Sequence, residues 1–435
     1  MHPRFMKGSA FAFAGGSALL FACAVHDDTT FPNLPQPTET PAVRTVVVFD
    51  SGVATLDDAG EGQVATGGEG GGVDPGGTTN TAKDITSIAA GIDHTCAVVS
   101  GGVQCWGNNM TAQLGDNTYT NRKAPVPVVG LKTGVTAVAT LGGHTCALVN
   151  GGARCWGNNY DGELGDNHAT VTGEPPSQVF GLETGVTAIA AGTGHTCAVV
   201  NGAAECWGNN EWNQIGAGPT TKMVVPTQIT GLATGVTAVA AGATHSCAVV
   251  NGGVQCWGGN TEGQLGNGTS NASVVPVPVV GLDSGVTAIV AGQFYSCAIV
   301  NGGARCWGGN ASGELGDGTY LYKYTPVQVV GLIADVTAVA IDLVHGCAVV
   351  HGRAQCWGDD RDGELGDGNT TTTNVPVQVV GLTSGVTGIA VGQTHSCAIV
   401  SNEVMCWGSN TYGQLGDNST TDSAVPVQVQ FPKPL

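Results

Sequence analysis

Two cysteines nine residues apart, the second followed at once by Trp-Gly, recur seven times along this chain. The first cysteine of each pair falls at 96, 146, 197, 247, 297, 347 and 397, and the second at 105, 155, 206, 256, 306, 356 and 406. The steps between copies are 50 residues, with a single 51. A period of this size marks copies of one supersecondary unit, each too small to bury both of its faces alone. Gly makes up 70 of 435 residues and charged residues 11%, which disfavours long helices with a charged solvent face. Gly-rich turns between Val and Thr runs suit short strands instead.

One copy, 236–282, reads VTAVAAGATHSCAVVNGGVQCWGGNTEGQLGNGTSNASVVPVPVVGL. Its pattern predicts strands at 236–240, 245–250, 253–257 and 277–280. Asn251-Gly252 between the second and third is a two-residue hairpin signal. Pro278 assigns the fourth strand to a sheet edge, because proline cannot donate to a ladder. Four strands per copy and seven copies predict an all-β fold, a seven-bladed β-propeller of four-stranded antiparallel blades over 84–435.

The repeat resembles that of the regulator of chromosome condensation family. In the first copy the matching residues are Gly91, His94, Cys96, Ala97, Trp106, Gly107, Asn109, Leu114 and Gly115, and the resemblance extends over 85–430. It implies a seven-bladed propeller. The best-known eukaryotic members promote nucleotide exchange on a small GTPase and bind chromatin. Others resemble pure binding proteins, among them a secreted bacterial inhibitor of β-lactamases. Fold therefore follows from the resemblance and function does not.

With a two-residue turn at Ser100-Gly101, Val99 faces Gly102 and Cys96 faces Cys105 in a non-hydrogen-bonded pair. Cα atoms of such a pair lie about 4.5 Å apart, within reach of a disulfide. Seven disulfides are expected: Cys96–Cys105, Cys146–Cys155, Cys197–Cys206, Cys247–Cys256, Cys297–Cys306, Cys347–Cys356 and Cys397–Cys406. Buried free thiols and a metal site are the alternatives, although this spacing is not that of a zinc knuckle. The tryptophan after each pair points to the opposite sheet face, where its ring would fill the wedge between blades. His94, His144, His195, His245, His345 and His395 share one position, filled by Tyr295 in the fifth copy. Tyr is a poor ligand for common metals, so these residues are expected to bond a neighbouring loop rather than form a metal ring. Asp161, Glu163 and Asp166, or Asp362, Glu364 and Asp367, fall short of a calcium loop. No metal or cofactor is expected.

The N-terminal stretch reads as a targeting segment. Arg4 and Lys7 precede an apolar run from 11 to 22, and Leu20-Phe21-Ala22-Cys23 resembles a bacterial lipobox. Residues 1–23 are read as a signal peptide with lipidation at Cys23. Ordinary cleavage around Ala22-Cys23-Ala24, or an uncleaved anchor, are the alternatives. Residues 24–83 read as a flexible linker rich in Gly, Pro and Asp, in which 45–49 is a candidate closing strand for the propeller. The expected location is the bacterial cell envelope, as a lipoprotein, or the exterior.

Thirty-three acidic residues against 14 basic give a net charge of −19. Phosphate backbones select clustered Lys and Arg, so nucleic acid is excluded as a partner. Membrane association is left to the lipid alone. The copies diverge in the loop between strands three and four. Tyr119, Tyr160, Tyr320, Tyr322, Tyr324, Tyr412 and Trp212 lie in or beside it, as recognition residues or as covers of apolar loop bases. No nucleophile elbow, zincin or phosphate loop is present. The sequence thus predicts a monomeric, exported binding or scaffold propeller for a protein or glycan partner, and not an enzyme. An enzyme acting on envelope polysaccharide and a guanine-nucleotide-exchange-like factor are the alternatives.

Overall fold

The computed structural model describes residues 84–432 other than 171 and 219, together with two short strands, β1 (Val46–Phe49) and β2 (Gly52–Thr55). Blade 1 consists of β3 (Ile85–Ala90), β4 (His94–Val99), β5 (Gly102–Gly107) and β6 (Arg122–Pro127). Six more four-stranded antiparallel sheets follow, each built in chain order from one copy of the repeat. The first strands of neighbouring blades pack side by side around an axis. The chain is a seven-bladed β-propeller.

The second and third strands of each blade lie between two neighbouring sheets. They are buried almost throughout, which is why they read as continuous apolar runs rather than alternating ones. The turn joining β4 to β5 has Ser100 at φ 51° and Gly101 at φ 75°, the two positive values of a type I′ hairpin. That turn sets Val99 opposite Gly102 and Cys96 opposite Cys105. Gly107 ends β5 at φ 101°, where a Cβ would lie 2.5 Å from the Asp93 carbonyl oxygen; a side chain there would break the turn.

All seven disulfides form in this register, with Cα atoms 4.0–4.1 Å apart. All fourteen cysteines are fully buried. Each closes a loop of about ten residues, worth about 2.5 kcal/mol in a chain-entropy account. Seven intrachain disulfides point to an oxidising, extracellular compartment.

Two expectations are corrected. In the fourth copy the last strand is Ser273–Pro278, not 277–280. Pro276 does not delay it, because this is an edge strand whose outer side has no ladder to donate to. The 45–49 run does not close the ring either. β1 pairs with β2 as a hairpin that touches the first strand of every blade, so it sits in the axial channel. The seventh copy supplies all four of its own strands and leaves no vacancy to fill. Closure rests on contacts between blades 7 and 1: the Ile85 amide donates to Asn402 Oδ1 at 2.9 Å, and Trp106 meets Phe431 edge-on at 5.8 Å. The signal peptide, Cys23 and the remainder of 24–83 lie outside the described residues.

Candidate binding face and the network beneath it

Each tryptophan of the Cys-Trp-Gly motif is fully buried, and its indole N–H donates to a backbone carbonyl of the preceding blade. Trp156 reaches Gln113, Trp207 reaches Glu163, and Trp106 closes the circle on Gln414, all at 2.8 Å. The histidines run the other way. Nε2 of His94, His144, His195, His245, His345 and His395 lies 2.8–2.9 Å from the hydroxyl of Thr145, Thr196, Ser246, Ser296, Ser396 and Thr95 in the next blade. Each of those hydroxyls donates its own proton to the carbonyl of residue 113, 163, 214, 264, 364 or 414. The histidines must therefore donate from Nε2 and are neutral. Burial lowers their pKa from 6.5 to about 3 for His94, His195, His245 and His395, and to about 4 for His144 and His345. Every Nε2 is committed to a hydroxyl, so the ring holds blades together.

The exception is compensated. Gly346 stands where the other blades carry Ser or Thr, so a histidine in blade 5 would have no hydroxyl to meet. Tyr295 occupies that position and donates to the His345 carbonyl at 2.6 Å. Asp342, in blade 6 with Gly346, stands where five other blades carry glycine. It is fully buried, both its carboxyl oxygens lack partners among the described residues, and burial pushes its pKa well above the usual carboxylate range.

The loop after the third strand has two recurrent supports. Gln113, Gln214, Gln264 and Gln414, or Glu163, Glu314 and Glu364, accept the backbone N–H two residues earlier. Asn109 and its equivalents accept the amide of the buried Leu or Ile five residues on and donate to loop carbonyls. In blade 6 this residue is Asp360, which has no N–H to donate; burial raises its pKa to about 7, and protonation restores a donor. Burial also raises Glu163 and Glu364 to about 7. Since glutamine serves at the same position in four blades, these carboxyls act as acceptors within the loop.

The loops start beside the turn between strands one and two, where the Asn108 amide donates to the Asp93 carbonyl. The loop tips of blades 2, 4, 5, 6 and 7 then lean on the fourth strand of the next blade. In blade 2, Lys222 of blade 3 lies 4.2 Å from the Tyr160 ring centroid, 2.8 Å from Asp161 Oδ1 and 2.8 Å from the Tyr160 carbonyl. In blade 3, Trp212 is 51% exposed and Glu211 beside it is exposed. In blade 4, Glu262 faces Tyr322, whose pKa it raises, and Gly263 abuts the Tyr324 ring. Tyr320, Tyr322 and Tyr324 remain 50%, 43% and 42% exposed.

Models of the regulator of chromosome condensation (RCC1) repeat match residues 100–148, 150–199, 202–249, 251–299, 351–399 and 401–434, and a second model of that repeat matches 85–109, 236–264 and 386–414. The chain belongs to the regulator of chromosome condensation repeat family. Among solved structures, human WBSCR16 is similar at 22% identity and a TM-score of 0.67, over 76% of this chain and 94% of that one. Prp20p of Saccharomyces cerevisiae is similar at 20% identity and a TM-score of 0.64, over 80% and 88%. No curated protein matches. The segment between 299 and 351, which the repeat models leave unmatched, supplies the last two strands of blade 5 and the first two of blade 6, in the same arrangement as elsewhere. It carries Tyr320, Tyr322, Tyr324, Asp342 and Gly346.

Within this member of the regulator of chromosome condensation repeat family, the seven aromatic candidates fall into different settings. Tyr119 donates to the Gly173 carbonyl of the next blade at 3.0 Å, and Tyr412 is half-buried. Tyr160 lies under Lys222. Trp212 in blade 3 and Tyr320 and Tyr322 in blade 5 are also exposed, and their rings have no cation seated over them among the described residues. Neither acidic set weighed for calcium forms a ligand cluster among the described residues. Asp161 pairs with Lys222, while Glu163 and Glu364 serve their own loops. Asp166 instead groups with His168 and Glu174. Glu174 stands opposite Gly157 as Arg122 stands opposite Gly107, and the His168 ring lies between Asp166 and Glu174 where blade 1 sets Arg122 against Asp116. The sequence offered no sign of that exchange.

Proposed function

We propose that this chain is an exported binding propeller, tethered by a lipid at Cys23, that recognises a protein or glycan partner through the loop face of blades 2 to 5. Trp212, Tyr320, Tyr322 and Tyr324 are its anchors, with Tyr119, Tyr160 and Tyr412 at the periphery. The observation that carries this reading is the cluster of exposed rings on a face whose scaffold otherwise repeats from blade to blade. Rigid sheets that hold divergent aromatic loops suit recognition. The buried disulfides support export. The yeast propeller Prp20p is described by its binding to Gsp1p and histones, which supports a protein as the partner of such a fold. The raised carboxyls Glu163, Asp360 and Glu364 argue against a loop carboxylate pair as catalyst, because Gln or Asn takes their places in other blades.

The test compares the full chain with Trp212→Ala and Tyr322→Ala against a partner captured from envelope extract. Truncating a buried anchor costs about 2 kcal/mol or more of binding, so affinity should fall at least about thirtyfold for one of them. If both variants fold and bind as tightly as the parent, this face is not the site.

A further inference from the structure

The loop tips of blades 2 and 3 carry the same two residue types side by side, an aromatic ring and a carboxylate. Tyr160 and Asp161 occupy one tip, Glu211 and Trp212 the other. The first pair is already filled. Lys222, from the fourth strand of blade 3, places its ammonium over the Tyr160 ring at 4.2 Å and against Asp161 at 2.8 Å. A cation over an aromatic face beside an anion is favourable on both counts.

Among the described residues the second pair has no such occupant. Met223 pairs with Gly208 in blade 3 and Ser273 pairs with Gly258 in blade 4. The residue before each is Lys222 and Ala272 respectively, so blade 4 presents a methyl where blade 3 presents an ammonium. Trp212 and Glu211 instead line, with Asp161, Glu163 and Thr244, an open cavity of about 230 Å³ between the tips of blades 2 and 3, room for the end of one side chain.

The rest of that cavity is held rigid. Asn209 donates from Nδ2 to Asp161 Oδ2 at 3.0 Å, Gln214 donates to Asn209 Oδ1 at 2.8 Å, and the Trp212 amide donates to Gln214 Oε1 at 2.9 Å. Such a wall fixes the backbone that carries Trp212 before a ligand arrives, which lowers the ordering cost of binding.

We infer that Trp212 and Glu211 form a cation-binding site that takes a lysine or arginine side chain of a protein partner. The site rests on the proposed function and narrows it: the partner is a protein with a basic residue at its contact point. A net charge of −19 draws such a partner in from a distance.

The experiment uses the full chain and three probes: acetyl-Gly-Lys-Gly-amide, its neutral counterpart acetyl-Gly-Gln-Gly-amide, and N-acetylglucosamine. Trp212 is the exposed tryptophan and the seven motif tryptophans are buried, so intrinsic fluorescence reports its occupancy. The lysine peptide should bind and the glutamine peptide and the sugar should not. Binding should weaken roughly tenfold in Trp212→Ala, judged by calorimetry, and by several fold in Glu211→Gln. It should also weaken as salt rises and the Debye length shrinks from about 30 Å to about 3 Å. Ala272→Lys should weaken it by placing, at the repeat position of Lys222, an ammonium that competes for Glu211 and Trp212 while leaving both in place. Equal binding of the lysine and glutamine peptides, unaltered binding in Ala272→Lys, or Trp212-dependent binding of the sugar alone overturns the inference. The face itself is tested separately. A captured partner that still needs Trp212 or Tyr322 while the lysine peptide fails refutes the cation site and leaves the face intact.

Discussion

Replacing Tyr295 by His tests the account of the inter-blade ring. Tyr295 is 1% exposed and its hydroxyl donates to the His345 carbonyl at 2.6 Å. A histidine there would point Nε2–H at Gly346, where no hydroxyl waits. A buried donor without a partner costs about 1–3 kcal/mol, and the smaller ring leaves part of the phenol's space empty. Tyr295→His should therefore destabilise by about 2–4 kcal/mol. Adding Gly346→Ser supplies the acceptor used in the other blades. Its Cβ would meet the Trp357 ring at 3.0 Å and Ile341 Cγ2 at 3.2 Å, so the rescue should be partial, about 1–2 kcal/mol. Ile341→Ala restores the residue found at Ala90, Ala191, Ala241 and Ala291 and should release the remaining crowding. The assay is guanidinium unfolding of the disulfide-intact chain, comparing midpoints at unchanged slope. If the single and double changes add within about 0.5 kcal/mol, Tyr295 and Gly346 are not coupled and the ring account is wrong.

Three further outcomes are expected. Alkylation of the denatured, unreduced chain should leave the fourteen blade cysteines unlabelled, and labelling of all fourteen would contradict the disulfides. Cys23→Ala should abolish lipid labelling of the exported protein; unchanged labelling would show that this cysteine is not the attachment point. Acid should destabilise the propeller. The six ring histidines have folded pKa values of about 3 or 4 against 6.5, so the unfolded chain binds their protons first. Their contribution is present above the unfolded pKa and is lost as pH falls towards the folded values, at about 1.4 kcal/mol per proton and pH unit. Glu163, Asp360 and Glu364, raised to about 7, oppose this at higher pH because they stabilise the fold as they protonate. The loss should be shallow near neutrality and steepest below about pH 4.5, where the unfolded carboxyls also protonate. Denaturant midpoints that stay flat from pH 6 to pH 3.5 would contradict neutral, buried histidines.

What the sequence made legible was whatever repeats or follows from local geometry. The cysteine spacing and the two-residue turn set Cys96 opposite Cys105 without any tertiary information. Alternation along the third strand placed Trp106 on the face opposite its cysteine, towards the neighbouring blade. What stayed hidden depends on contacts between copies. Gly346 gives no hint that it explains Tyr295, since the two are 51 residues apart and meet only across a blade interface. Glu163 and Glu364 were weighed as calcium chemistry, but each accepts a backbone N–H of its own turn, as the glutamines of other blades do. Tyr160 looked like a binding residue, yet Lys222 of the next blade lies over it. The 45–49 run has the composition of a strand, but its partner lay in a stretch with no strand pattern of its own, Gly52–Thr55.

The most direct measurement of the binding account is site-specific photo-crosslinking in cells that export the full chain. A photoreactive side chain replaces Tyr322 on the loop face or Val380, exposed in the connection after the fourth strand of blade 6. The account predicts a discrete crosslinked protein from position 322 and none from position 380. Crosslinking from 380 alone, or equally from both, would contradict it.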